Sequence, residues 1–183
     1  MSLILFAKKG FEKVTVEEIC SNLGLSKGTL YVHFRSKHQV ALELFLTGDD
    51  YYNNVLLKKL PRCSSSAERL EFCMTHATKY INKVGKMLIR VTFQSQLGPS
   101  KAMQFVTSEK RPLYRICESI IREGQESGEF RNDISSRDIA FLAIRAFRSV
   151  MFDWCLVSSK LDLEHETNQL FKLIIRGLMT RSG

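Results

Sequence analysis

The chain is 183 residues long, 44% hydrophobic and 25% charged, with a formal net charge of +8. That size accommodates one domain, or a small domain joined to a larger one, with a real buried core, and the composition is that of an ordinary globular protein. No apolar run approaches the ~18 residues of a membrane span and no signal peptide is visible, so no membrane partner is expected, whereas the positive charge favours a polyanion such as nucleic acid.

Residues 3–9 carry a short helical pattern that Gly10 stops. Thr15 follows as an N-cap, its hydroxyl placed to accept from the backbone N–H of Glu17 or Glu18, and Glu18 completes the capping-box spacing. Val16, Ile19, Cys20 and Leu23 make the apolar face of that helix, which Gly24 ends. Ser26 caps a second helix that buries Leu30 and Phe34. Ser36 caps a third, which runs to about residue 57 with Val40, Ala41, Leu44 and Phe45 on its apolar side. Two helices joined by a short glycine-containing turn form the helix-turn-helix pattern.

After residue 60 or so a polar loop leads into a helix with Leu70, Cys73, Ala77, Tyr80, Ile81 and Val84 at helical spacing. Gly85 separates this from a short helix through Leu97, and Gly98-Pro99 breaks the chain again. Residues 103–121 read as helix kinked or divided by Pro112, and Gly124 and Gly128 mark the next turn. The last two helices, about 136–158 and 163–179, are apolar over more than one face: Phe141, Ile144, Phe147, Met151 and Trp154 make one stripe, which Leu142, Ala146 and Val150 widen. Such helices are covered on two sides, either inside one chain or by a partner. Only three prolines interrupt the whole length, and period-two alternation is scarce, so the fold expected is all-α.

Between Glu18 and Glu43 the chain has no acidic residue but carries Lys27, His33, Arg35, Lys37 and His38. Gly28 stands one position inside the second helix, where glycine costs about 1 kcal/mol relative to alanine. If that helix enters the DNA major groove with its N-terminus foremost, a residue without a side chain lets the backbone approach. Lys27 then reaches phosphate or the guanine edge, and Thr29 has a hydroxyl and a methyl for base contacts. Tyr31 and His33 reach phosphates, as do Lys37 and the helix start behind Thr15. Taken singly, each of these residues also fits an ordinary surface or packing role.

These residues resemble the DNA-binding domain of the tetracycline-repressor (TetR-type) family of bacterial transcriptional regulators. The similarity spans Gly10 to Phe45 and rests on Gly10-Phe11, Thr15-Val16, Ile19, Gly24-Leu25-Ser26, Gly28-Thr29-Leu30-Tyr31, His33-Phe34 and Ser36-Lys37. The first helix is shorter than usual in the family, and Cys20 and His38 stand where alanine and an acidic residue are common. The resemblance implies a helix-turn-helix DNA-binding domain over residues 1–45 and a larger helical ligand-binding and dimerisation domain over 46–183. It also implies a cytoplasmic homodimer built on the last two helices, a palindromic double-stranded DNA operator and a small-molecule inducer. The helix from Ser36 is the expected lever between the two domains. Candidate ligand contacts are His76, Tyr80, Phe93, Gln94, Phe105, Tyr114, Phe147, Met151 and Trp154, each of which also fits plain core packing.

An enzyme is the first rival, and the motifs for it are missing: no H-x-x-x-H, no G-x-S-x-G and no glycine-rich phosphate loop. The four histidines, His33, His38, His76 and His165, are too scattered for a metal site, and no cofactor is expected. Cys20, Cys63, Cys73, Cys117 and Cys155 are odd in number and widely spaced, as in reduced thiols that serve as small hydrophobes. The second rival is a helical dimer that acts through protein contacts without DNA.

Overall fold

The structure is a computed structural model that describes residues 9, 13–33, 36–60, 65–96, 106–157 and 161–180. The expected helix over residues 3–9 lies outside the described residues except for Lys9, as do Phe34 and the Gly98-Pro99 break. Among the described residues everything regular is helical, apart from one isolated antiparallel bridge between Phe130 and Met179.

Local capping chemistry sets the first three helices. Thr15 Oγ1 accepts from the Glu18 N–H at 3.2 Å while Glu18 Oε2 accepts from the Thr15 N–H at 3.0 Å, which starts α1 (Val16–Leu23). Gly24, left-handed at φ 67°, ends it. Ser26 Oγ accepts from the Thr29 N–H at 3.0 Å at the start of α2 (Lys27–His33), and Ser36 Oγ accepts from Gln39 at 3.2 Å ahead of α3 (Lys37–Tyr51). The third helix does not run on regularly to residue 57. It passes through a π-helical turn, Tyr52–Leu56, before a last α turn, Leu57–Lys59. Tyr52 and Leu56 are buried there, and the turn rests on the helices that follow.

The rest of the chain forms α4 (Ser66–Val84), α5 (Lys86–Gln96), α6 (Pro112–Glu126), α7 (Ser136–Leu156) and α8 (Leu163–Leu178). The two most extensive helix pairings are α4 with α8 and α6 with α7, and α5 lies between α3 and α7. The buried residues make one continuous cluster, from Val14, Ile19, Leu30 and Val40 through Phe45 to Trp154 and Phe171. Cys20, Cys73, Cys117 and Cys155 are all free and buried within it.

Side chains from distant parts of the chain close several helix ends. Glu129 accepts from the Ser66 and Ala67 N–H groups at 2.8 Å each, adding to the Ser65–Glu68 capping box of α4. At the other end of the fold Lys86 donates to the Val157 carbonyl at 2.6 Å and Arg90 Nε to the Cys155 carbonyl at 3.2 Å, so α5 caps the C-terminus of α7.

Two sequence expectations change. Pro112 neither kinks nor divides a helix over 103–121: the described residues 106–111 are turn and bend, and Pro112 is the first residue of α6, where its missing N–H costs nothing. Gly124 is not in a turn but inside α6, because the ring of Phe130 lies against it, and a Cβ there would sit 2.3 Å from Phe130 Cδ2. Only Gly128, at φ 76°, takes the turn. Gly124→Ala must displace a fully buried ring and is expected to destabilise the protein by about 1–3 kcal/mol. The measurement is the urea midpoint at unchanged slope, with Gly28→Ala, where a Cβ meets only Ser26 Oγ at an ordinary 3.7 Å, as the control that stays neutral or gains.

Candidate functional site

The tip of α2 is anchored by one side chain. Among residues 27–32 only Leu30 is buried, and it joins the cluster that holds Ile19 and Cys20 of α1. This leaves Lys27, Gly28, Thr29, Tyr31 and Val32 on the solvent side. Gly28 has no internal reason to be glycine: its φ is not positive, and a Cβ would meet only Ser26 Oγ at an ordinary 3.7 Å. Thr29 Oγ1 lies 2.8 Å from Ser26 Oγ, which steadies the first turn. Tyr31 is 51% exposed, and Val32, which sequence reasoning passed over, is 80% exposed beside it.

Lys27 is not left unbalanced as the carboxylate-free stretch implied. It pairs with Glu17, just before that stretch, and holds the Glu17 carboxyl below the usual carboxylate range. Both side chains are more than half exposed, so the pair is weak and yields to a phosphate. The Thr15 hydroxyl is occupied by the capping box, which leaves the start of α1 rather than that hydroxyl to face an anion. His33 ends α2 and Lys37 opens α3, at the far end of α2 from this tip; their side chains lie outside what the structure describes.

A second feature lies in the larger helical layer. Phe45 of α3, Tyr52 of the π turn, Ile89 and Phe93 of α5, Leu113 and Tyr114 of α6, and Phe147 and Met151 of α7 enclose an apolar cavity of about 40 Å³. That is room for roughly three water molecules. Two guanidinium groups border it, Arg111 and Arg148. Arg111 Nη2 donates to Asp49 Oδ1 on α3 at 2.9 Å and lies 4.9 Å over the Phe45 ring; Arg148 Nη1 donates to the Val106 carbonyl at 3.2 Å. The Tyr114 hydroxyl is buried beside the Arg148 guanidinium, which can only donate to it, and its own O–H finds no acceptor among the described residues. Burial pushes its pKa up, against the pull of Arg148, Arg111 and Arg145. A more open groove of about 330 Å³ runs between α4 and the start of α8, lined by Glu71, Lys79, Asp162 and His165 among others. Its polar walls would leave an apolar ligand wet.

Of the residues singled out from the sequence, Phe93, Tyr114, Phe147 and Met151 come together at the cavity. Four others do not. His76 stacks on Phe72 and donates Nδ1–H to its carbonyl at 2.9 Å. Tyr80 stacks on Tyr51, bonds Thr47 Oγ1 at 3.1 Å and packs over Gly48, where a Cβ would lie 2.8 Å from its ring. It ties α4 to α3 rather than facing the void. Trp154 lies beneath the Lys86 ammonium, and Gln94 is exposed. Phe105 lies outside the described residues. Sequence reasoning missed Phe45, Tyr52, Arg111 and Arg148. The spacing of Arg148 from Ile144 and Met151 places it on the same helical stripe, a signal that was available; Arg111 offered none.

Residues 2–44 match the family described as "Bacterial regulatory proteins, tetR family", and residues 64–177 match "YsiA-like protein, C-terminal region". The "HTH-type transcriptional repressor KstR2" of Mycolicibacterium smegmatis is 23% identical over 184 aligned residues, which cover 100% of this chain and 89% of that protein. Among solved structures, Thermus thermophilus FadR, a TetR-family repressor in complex with lauroyl-CoA, has a TM-score of 0.77 at 20% identity, covering 100% of this chain and 93% of its own. Bacillus subtilis FadR in complex with stearoyl-CoA has a TM-score of 0.73 at 19% identity, with coverage of 97% and 95%. Both structures share the fold of this chain.

Gly28→Ala separates folding from recognition. Thermal and urea unfolding are expected to show a stability equal to the parent or raised by up to about 1 kcal/mol. Affinity for specific duplex DNA is expected to fall roughly tenfold or more, the scale of one disturbed base contact, as read by fluorescence anisotropy.

Proposed function

Since the chain belongs to the tetracycline-repressor family of bacterial transcriptional regulators, we propose that it is a cytoplasmic repressor that binds a palindromic operator as a homodimer and releases it when a small molecule occupies the α3–α7 cavity. In this reading residues 1–45 form the DNA-binding domain and 46–183 the ligand-binding and dimerisation domain, with α3 crossing between them. The observation that carries the DNA part is Gly28: a glycine inside a helix, exposed and not required by the chain's own packing. Its missing side chain serves an outside surface, and Lys27, Thr29 and Tyr31 flank it with donors. His33, Lys37 and the start of α1 at Thr15 take phosphate positions in the same docking.

Dimerisation is supported by the outer faces of α7 and α8. Leu142 and Leu156 are 57% and 62% exposed, Leu173 is 68% exposed, and Gly177 on α8 leaves open space for a close helix. A two-fold axis there repeats the α2 tip on the partner, so half-sites fall one helical turn apart, ~34–36 Å, or a modest multiple of that.

The ligand carries an apolar chain, which the walls of the cavity favour and which the lauroyl-CoA and stearoyl-CoA bound by the two FadR proteins also possess. A space of about 40 Å³ does not hold such a chain. Binding must part the walls, and Phe45 and Tyr52 are among them, so occupancy biases the position of α3. Repression, as in KstR2, is the sign that follows if the parted state misplaces the two tips.

The test is a gel shift on the DNA flanking the protein's own gene. Lys27→Ala is expected to weaken specific binding, and Lys37→Ala to weaken binding to all sequences and lower the salt slope by about one. If neither substitution changes binding, the contacting face is elsewhere. If the parent binds no such fragment, the protein works through protein contacts instead.

A further inference from the structure

Two guanidinium groups and a buried phenol are a costly way to build the wall of a purely apolar cavity. Hydrocarbon pressed against them leaves the Tyr114 O–H short of an acceptor and sets two cations against an apolar chain. An anionic oxygen group on the end of the ligand removes both penalties: it accepts from Tyr114 and from the forks of the two arginines. The second relevant fact is where Arg111 points now. Its Nε and Nη2 both reach Asp49 Oδ1, at 3.2 and 2.9 Å, and its side chain and that of Asp49 are only 14% and 24% exposed. Asp49 lies on α3, on the same helix as the cavity residue Phe45.

Resting on the reading of the cavity as the inducer site, we propose that the ligand is an amphipathic anion whose head group takes Arg111 away from Asp49, and that this exchange of partners is what loosens α3. The guanidinium carries a single charge, so an anion that draws it toward the cavity weakens its hold on Asp49. Once Arg111 turns to the ligand, the Asp49 carboxylate is left partly buried without its cation, and it regains water only if that end of α3 moves outward. An apolar molecule of the same length, lacking the charge, fills the cavity without touching the pair. If freeing Arg111 from Asp49 is part of the cost of binding, then weakening that hold first raises the affinity for the ligand.

The experiment uses the full-length protein on a DNA fragment that the protein itself retains, with laurate, lauroyl-CoA and methyl laurate as probes. Direct binding is read by calorimetry and DNA release by anisotropy. In the parent, laurate or lauroyl-CoA is expected to lower DNA affinity by about 5- to 150-fold, and which of the two acts shows whether the anion is a carboxylate or the phosphates of the thioester. Methyl laurate binds without releasing DNA. Asp49→Asn, checked for a parent-like melting curve, is expected to hold DNA more weakly without ligand and to bind the active probe more tightly. Arg111→Gln also holds DNA more weakly but binds that probe less tightly, a split that simple loss of a structural ion pair does not produce.

Release of DNA by methyl laurate as effective as by the anions overturns the exchange, and so does a folded Asp49→Asn protein whose affinity for the active probe is unchanged or reduced. If Asp49→Asn does not fold, the comparison of ester with anion in the parent still decides. If none of the three probes releases DNA from the parent, the inducer reading of the cavity fails first, and the exchange with it.

Discussion

One helix has to fit two surroundings at once. At its start α3 is fixed by the Ser36 cap, and Val40 is buried in continuity with Leu30 and Ile19. At its far end Phe45, Asp49 and Tyr52 belong to the wall of the cavity and to its border. Because the apolar cluster is continuous along this length, a shift accepted at one end has to be absorbed or passed on at the other: close-packed interiors take discrete rearrangements in preference to gradual deformation. A regulator needs that property. In the proposed reading the ligand cavity and the DNA-binding domain are joined by this one element.

The ties among the outer helices are more numerous than those that hold α3. Glu129 fixes the start of α4 from the turn after α6, and Lys86 and Arg90 of α5 fix the end of α7. Arg69 on α4 pairs with Glu123 on α6, and the Phe130 ring closes onto Gly124. These contacts bind the outer helices to one another at several separated points. Among the described residues the ties from that frame to α3 include the Tyr80 stack with its hydrogen bond to Thr47, the Arg111–Asp49 pair and apolar contact with α5. Of these, the ion pair is the one whose cation a negatively charged ligand can draw away.

What could be read in the sequence was local. Thr15, Gly24, Ser26 and Ser36 act through bonds within a few residues, so their roles are visible from spacing alone. Pro112 misled because apolar residues on both sides kept the helical period, while the proline itself marks a start. Gly124 misled because the reason for it lies six residues on, in the ring of Phe130. The aromatic candidates divided for a similar reason. Tyr80, Trp154, Phe147 and Tyr114 all recur at helical spacing, and whether each meets the void or a neighbouring helix depends on Gly48, Lys86 and other residues far along the chain. The pairing of Arg111 with Asp49 spans 62 residues and has no sequence period to announce it.

The π turn at Tyr52–Leu56 bears on where a tilt of α3 would stop. A wider ring puts one surplus residue into the spiral, so the coil beyond it is out of phase with the coil before it, and such turns occur often at functional sites. Phe45 and Asp49 precede this dislocation; Leu57–Lys59 follow it. Seen mechanically, the turn is a pivot set at the root of a pointer. Swinging such a pointer would move its distant end most, and slack at the root would let the anchored start of α4 stay where it is.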